Sequence, residues 1–373
     1  MTTPTELRVL QFCHGYDGPF LDCARQYASL FVGTPYKVTT VYLTGAPSVE
    51  VERGSASDEV VFLDYRSRDV RGLKLKAIRD IKGLVDGRNF QFCIAHRFKP
   101  IYVALLGTDL PVIGVHHGFG DYQRLSRKLF ANCFRKRLAL LGVSNAVRNE
   151  IRACLPSWPA ERIETLYNRI DIAAVQAEQV CRDDARAHLG LPQDAWVVGN
   201  VGRLHPDKDQ ATLIRGFAQA LPQLPAGSLL AIMGSGRLEA ELKALAAELG
   251  VSTSVRFLGQ VPQGRRYFKA FDVFALTSDH EPFGMVLLEA MAAGVPVICS
   301  DCGGGREVVE GVGRLFALAD RAALASQLRA QALAAQPSAD QQEVAFARLQ
   351  ACFSDASVVR RFWTLPLVTG LRA

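Results

Sequence analysis

SDHEPFGMVLLEAMAAGVPVICSDCGGGREVVE, residues Ser278 to Glu310, is the stretch whose reading decides the fold of this chain. Asp272 to Thr277, DVFALT, precedes it as a short apolar run of strand type. A polar turn follows, then a loop with Pro282 and Gly284, then a helical run from Met285 to Ala293 with Val286, Leu287, Ala290 and Ala293 at inward positions. Gly294 closes that helix and Val295 to Cys299 restores the strand pattern. Strand, loop, helix and strand in this order make one parallel βαβ unit. Ligands of open α/β sheets lie at the carboxyl ends of the strands, so Asp279 to Gly284 is expected at a binding crevice.

The loop brings the amides of Phe283, Gly284, Met285 and Val286 to a helix start, where about half a positive charge accumulates and a phosphate is stabilised. Glu281 precedes the helix and Glu289 lies within it, so a phosphate site between two acceptors would suit an extended nucleotide-sugar. Taken singly, Glu281 reads as a solvated loop carboxylate and Glu289 as a surface helix residue. Together the residues resemble a known signature: E-P-F-G-x-x-x-x-E-A-M-A-x-G-x-P-V, followed by Asp301, Gly303, Gly304 and Glu307, is similar to the donor site of glycosyltransferase family 4. That resemblance implies an α/β chain of two Rossmann-like, doubly wound domains facing a central cleft (GT-B), and a retaining transferase. It also implies Glu281 on the donor sugar and Glu289 on the ribose.

With 373 residues the chain suits two domains, each large enough for its own core. The expected division is 1–169, an acceptor-binding half; 170–355, a nucleotide-sugar-binding half; and 356–373, a helix returning to the first domain. No apolar run approaches the roughly 18 residues needed to span a bilayer, and the amino terminus lacks a signal-peptide pattern, so a cytoplasmic location is expected. Nine scattered cysteines fit a reducing compartment. Cys299 and Cys302 form a lone C-x-x-C, read as a strand end and turn. Through residue 169 there are 24 Lys and Arg against 16 Asp and Glu, and beyond it 19 against 21. The excess positive charge therefore belongs to the first half, which suits a phosphorylated acceptor or an anionic membrane surface.

Leu7 to Cys13 reads as a buried first strand, His14 to Gly18 as a glycine-bearing loop, and Phe20 to Phe31 as a helix with Pro19 at its first position. Strands follow at 37–43 and 60–63 with a polar connector between them, then a basic helical region over 66–88 and a strand at 92–96. By resemblance Gly15 and Gly18 face the donor. Leu110 to Gly118, LPVIGVHHG, is a short apolar strand ending in two histidines. The family's matching strand ends in a histidine beside the reacting carbon, and counting from the proline selects His117 over His116. Arg124 to Arg137 reads as a cationic helix. Its Arg124, Arg127, Lys128, Arg135 and Lys136 make either a solvated face or a surface for an acceptor or anionic lipid. Nucleic acid is not expected, because no aromatic residues alternate with these charges.

In the second half, Gly202-Arg203-Leu204-His205-Pro206-Asp207-Lys208-Asp209 matches the family's G-R-L-x-x-x-K-D residue for residue. Arg203 and Lys208 are thereby implied as the clamp on the departing diphosphate. Gly234 after the strand 229–233, and Gln260 and Val261 after the strand from Val255, are implied donor contacts. The chain is read as having no D-x-D triplet to bind a divalent ion, so no metal and no cofactor are expected. The resemblance implies a hexose moved from a nucleoside diphosphate donor, with uridine the commonest base, to a hydroxyl of a glycan or glycolipid such as lipopolysaccharide core. The rival readings are a nucleotide-sugar epimerase or hydrolase of the same architecture, and a silent nucleotide-sugar-binding protein.

Overall fold

A computed structural model describes residues 6–334 and 339–370. The chain forms two compact units: unit 1 is Met1–Asn168 with Val358–Ala373, and unit 2 is Arg169–Ser357. The first crossing thus falls one residue before the expected 169. The return lies at Val358, inside the helix Asp355–Thr364.

Unit 1 is built on a seven-stranded sheet: β1 (Leu7–Cys13), β2 (Tyr36–Thr44), β3 (Glu59–Tyr65), β4 (Phe90–His96), β5 (Val112–His116), β6 (Leu138–Gly142) and β7 (Ile163–Thr165). Its order is β3-β2-β1-β4-β5-β6-β7, with every pair parallel. Unit 2 has six parallel strands: β8 (Val197–Val201), β9 (Leu229–Met233), β10 (Val255–Gly259), β11 (Val273–Leu276), β12 (Val297–Ser300) and β13 (Arg314–Phe316), ordered β10-β9-β8-β11-β12-β13. Both sheets reverse direction of winding once, between β1 and β4 and between β8 and β11. A crevice opens at such a switch because the connections leave to opposite faces.

The strands are continuous apolar runs because helices cover both faces, leaving no polar alternation to read. The sheet of unit 2 buries Val198, Leu230, Ile232, Val273, Ala275 and Ile298 with Leu213, Phe217 and Leu324 of the covering helices. At its base Arg186, with no exposed surface, pairs with Asp272 at 2.8 Å and donates to the carbonyls of Ala270, Pro192, Gln193 and Ala195. Asp272 also accepts from Val197 N at 2.7 Å, so the buried pair fixes the start of β8 with its polar atoms satisfied. The returning helix is held in unit 1 by Trp363 Nε1 donating to Leu30 O at 3.0 Å and by Phe362 edge-on to Phe31.

Several local expectations are corrected. The connector before β3 contains the helix Val49–Gly54, whose start Ser48 caps by accepting from Val51 N. The basic region 66–88 is helical only over Leu75–Val85. The helix Phe98–Gly107 was not anticipated, because its apolar residues lie on all sides and leave no period. Pro19 is the residue before the helix Phe20–Ala28, not its first turn. The helix after the quoted loop, Met285–Ala292, buries Leu288 and Met291, whereas Val286 is half-buried.

Candidate functional site

In unit 2 the two quoted motifs leave the strands on either side of the switch. Gly202 to Asp209 follows β8 and Ser278 to Gly284 follows β11. Thr277 Oγ1 donates to Lys208 O at 2.9 Å and Asp279 N to Asp207 O at 3.2 Å, which ties the segments together. Lys208 Nζ then lies 2.7 Å from Glu281 Oε2, with the carboxylate side chain only 8% exposed and the ammonium stem 20% exposed.

The loop is shaped by its neighbours. Ser300 Oγ and Cys302 Sγ both donate to Ser278 O, at 2.6 and 2.9 Å, and Gly304 N donates to Glu281 O at 2.8 Å. A Cβ on Gly303 would stand 2.2 Å from Glu281 O, and one on Gly304 2.3 Å from Pro282 O. Only glycine allows those backbones to touch. Gly284, at φ +96°, turns the chain into the helix Met285–Ala292, and Phe283 is buried edge-on to Phe353. Met285 and Val286 form the first turn, so their amides face the loop end. Glu289 lies about one turn on, half-buried.

The remaining residues of unit 2 divide by role. Arg203 is 73% exposed, at the rim, 3.6 Å from Asp207. Gly234 N donates to Gly259 O at 2.7 Å, and a Cβ on Gly234 would lie 2.0 Å from Gly202 O. Gly234 therefore serves the close approach of β8, β9 and β10 at their carboxyl ends. Gln260 is exposed and Val261 half-buried just beyond β10. Asp207-Lys208-Asp209 is itself a D-x-D triplet, so the chain does contain one. Asp209 Oδ1 caps Thr212 N at 3.2 Å and Asp207 contacts His205, which directs the two carboxylates to different partners. Among the described residues no three His, Cys, Asp or Glu side chains are grouped to hold a metal ion.

In unit 1 the carboxyl ends of β1, β4 and β5 gather four histidines: His14, His96, His116 and His117. His116 is fully buried, with Nδ1 2.8 Å from Asp121 and Nε2 3.2 Å from the Tyr122 hydroxyl. Both its nitrogens are thus committed to the fold. His117 is half-buried; its Nε2 lies 3.0 Å from His96 Nδ1, and one of the pair must donate. Burial, then His116 and Arg97, lower the His117 pKa to about 3. Burial, then Lys99 and Arg97, lower that of His14 to about 4. Both rings are neutral near pH 7, so His117 can donate or accept a hydrogen bond but cannot serve as an imidazolium acid. His96 and His14 were missed in the sequence. A polar residue at the carboxyl end of a strand is a signal that they share with His117 and that could have found them.

In the first loop Gly15 is half-buried and Gly18 exposed. A Cβ on Gly15 would stand 2.8 Å from Thr44 Oγ1, so that glycine serves packing against β2, while Gly18 takes a left-handed turn at φ +60°. The cations of 124–137 do not form one helical face. The helix is Leu125–Cys133, with Arg124 before it and Arg135 and Lys136 exposed after it. Arg127 is ion-paired with Asp121 and stacked 4.5 Å over Phe98, Lys128 is half-buried, and Arg137 donates to Leu105 O and Thr108 O at 2.7 Å. Among the described residues no helix is long and apolar enough to cross a membrane.

Comparison with known proteins places this geometry. Residues 182–341 match the model of glycosyl transferases group 1, and residues 24–174 that of Glycosyltransferase Family 4. An uncharacterised glycosyltransferase of Methanocaldococcus jannaschii is 34% identical over 46% of this chain and 44% of its own length. A D-inositol 3-phosphate glycosyltransferase of Nocardia farcinica is 40% identical over 56% of this chain and 46% of its own length. The lipopolysaccharide core biosynthesis glycosyltransferase LpsE of Rhizobium meliloti is 43% identical over 30% and 32%. The chain thus spans less than half the length of these curated relatives in the matched regions. A solved glycosyltransferase of Rickettsia africae superposes with a TM-score of 0.83 at 15% identity, covering 98% of this chain and 99% of that one. Anabaena HepE, solved in complex with UDP-glucose, superposes at 0.77 and 20% identity, covering 98% and 99%. These likenesses establish the GT-B fold, and with two family models that between them take in most of its length, the chain belongs to glycosyltransferase family 4.

Proposed function

We propose that the protein is a retaining glycosyltransferase that moves a hexose from a UDP-sugar to a hydroxyl of a glycan or glycolipid acceptor, with lipopolysaccharide core as the leading candidate. The observation that carries this reading is the Lys208–Glu281 pair, 2.7 Å apart beside the first amides of the helix Met285–Ala292 at the switch of unit 2. Departure of a nucleoside diphosphate builds negative charge on phosphate oxygens, and fixed positive groups lower that barrier without reorganising. Lys208 and the amides from Phe283 to Val286 supply them, Arg203 adds a mobile guanidinium from the rim, and Glu281 accepts sugar hydroxyls. Gln260, Val261 and Glu289 take the base and ribose.

Unit 1 would supply the acceptor, with His117 near the anomeric carbon as a neutral hydrogen-bonding group or through its carbonyl. The acceptor attacks from the face that the diphosphate leaves, and the departing phosphate takes its proton. The reaction as read uses no metal and proceeds in the cytoplasm, in contact with the anionic membrane face where the acceptor is lipid-linked. HepE, with its UDP-glucose complex, and LpsE, with its role in lipopolysaccharide core synthesis, support the choice of donor and acceptor.

The test is transfer with a panel of UDP-sugars, in which Glu281→Ala and Lys208→Ala each lower turnover by at least about 100-fold while unit 1 stays folded. Near-normal transfer by both variants would refute the assignment. Release of free or epimerised sugar from donor alone, at the rate of transfer, would favour the hydrolase or epimerase instead.

A further inference from the structure

In unit 1 Arg97 precedes the helix Phe98–Gly107, which carries Lys99 in its first turn, and Lys74, at the start of the helix Leu75–Val85, reaches Tyr102 of that same helix, with Arg71 three residues before Lys74; among the described residues none of the four has a carboxylate within 4 Å. Some other cations of this unit are paired, Arg8 and Arg88 with Glu59, Lys37 with Asp58 and Arg127 with Asp121, and others are exposed singly; what sets these four apart is that they are grouped. Lys99 is lowered from its ordinary pKa by burial and then by Arg97, Arg71 and Arg127; Lys74 is lowered by burial and then by Lys99 and Arg127. The charges therefore act on one another across a single patch.

Aromatic rings hold them there. Lys74 Nζ lies 4.6 Å over Tyr102, whose ring centre is 4.9 Å from Phe130; Phe130 is 5.8 Å from Phe98, which lies under Arg127. Arg97 lies 4.6 Å over Phe20. Lys74 and Arg97 also occupy backbone with positive φ, +54° and +72°, which costs a side-chain-bearing residue roughly 1–3 kcal/mol. Asp121, paired with Arg127, also acts on Arg97 from beyond 4 Å, but one carboxylate does not balance the grouped cations; their repulsion destabilises the unliganded unit, and an anion with several acceptor oxygens would reverse that. Arg97 follows His96 in the chain and lies over Phe20, whose ring centre is 6.2 Å from that of His117, so the patch lies beside the histidine cluster.

From this arrangement we infer that unit 1 contains a phosphate-monoester subsite for the acceptor, formed by Lys74, Arg97 and Lys99 with Arg71 at its edge. The inference rests on the reading of unit 1 as the acceptor half, and adds that the acceptor carries a phosphate, on a soluble sugar phosphate or a lipid headgroup. Diphosphate binding at Lys208 is a separate event in unit 2.

The test titrates the full chain with glycerol 1-phosphate by calorimetry at pH 7.5, and sediments it with phosphatidic acid vesicles against phosphatidylcholine vesicles. Binding to the soluble monoester identifies a free phosphate; binding to the vesicles alone identifies a headgroup. In either arm Lys74→Gln with Lys99→Gln weakens binding at least about tenfold, Lys99→Arg restores it, and UDP binding is unchanged. Lys208→Ala shows the reverse pattern. Because repulsion is relieved, unliganded Lys99→Gln melts no lower than the parent. The inference is overturned if neither probe binds, if the double variant binds as the parent does, or if Lys99→Gln melts lower. Phosphate binding without transfer to any acceptor would count against the transferase reading alone; transfer without phosphate binding would count against this subsite alone.

Discussion

Replacing Lys208 by Met tests the centre of the site through stability rather than turnover. The pair is 2.7 Å apart and the Glu281 side chain is 8% exposed, so the variant leaves a carboxylate with little water and only the Phe283 N–H, at 3.5 Å, as a partner. At an effective dielectric of about 20 the Coulomb attraction at that distance is about 6 kcal/mol, and desolvation offsets part of it. The net cost expected is that of breaking a buried pair, about 3–5 kcal/mol. Glu281→Gln should cost less, about 1–2 kcal/mol, because Lys208 is 20% exposed and its ammonium can reach water. The double variant should recover most of the loss, since no buried charge remains. Hydrogen exchange of the β8 and β11 amides reads the unfolding free energy of unit 2 separately from unit 1. If the two single losses simply add in the double variant, the side chains are not coupled and the pair is not the core of the site.

Two further outcomes follow from the geometry. Gly304→Ala places a methyl 2.3 Å from Pro282 O, a backbone atom that cannot rotate away, so the loop from Glu281 to Gly284 must shift. UDP affinity by calorimetry should fall at least about tenfold while unit 1 melts unchanged; unaltered affinity would show that the loop does not hold the nucleotide. For pH, His14 and His117 are neutral in the fold, with pKa values of about 4 and about 3 against an unfolded value of about 6.5. Below pH 6.5 the unfolded chain takes up protons that the folded unit refuses, so stability falls, levelling off near pH 4 for His14 and pH 3 for His117. Between pH 6.5 and 5 the ceiling is about 2 kcal/mol per histidine, reduced by the solvent that both rings still meet. Thermal melting of unit 1 at pH 7 and pH 5 should show the drop, and His117→Asn should shrink it; equal melting points would mean that the rings are charged in the fold.

The elements that were legible in the sequence are those whose local signal and tertiary setting agree. The runs Leu7–Cys13 and Leu229–Met233 are strands from first to last residue as read, because an apolar segment of that length between turn residues has few other ways to be buried. The helix Phe98–Gly107 was illegible for the opposite reason: a helix buried on every side carries no amphipathic period. Composition likewise placed the positive charge in the first half, but not its grouping. The cations of 124–137 looked like a face because they are close in sequence, yet Arg127 and Arg137 are turned inward to Asp121 and to carbonyls.

The sequence by itself determined that two parallel α/β halves exist and that Gly202–Asp209 and Ser278–Glu310 carry the donor-type motifs. Each is a local pattern of glycines, apolar spacing and strand ends. Only the tertiary structure decided which residues meet. It set Lys208 against Glu281, 73 positions away, committed His116 to the fold while leaving His117 beside His96, and laid Lys74 over Tyr102 of the helix that carries Lys99. Those pairings arise where separate strands end on one edge of a sheet, and strand order is fixed by the burial of whole helices against it, a sum over the chain that no short stretch of residues records.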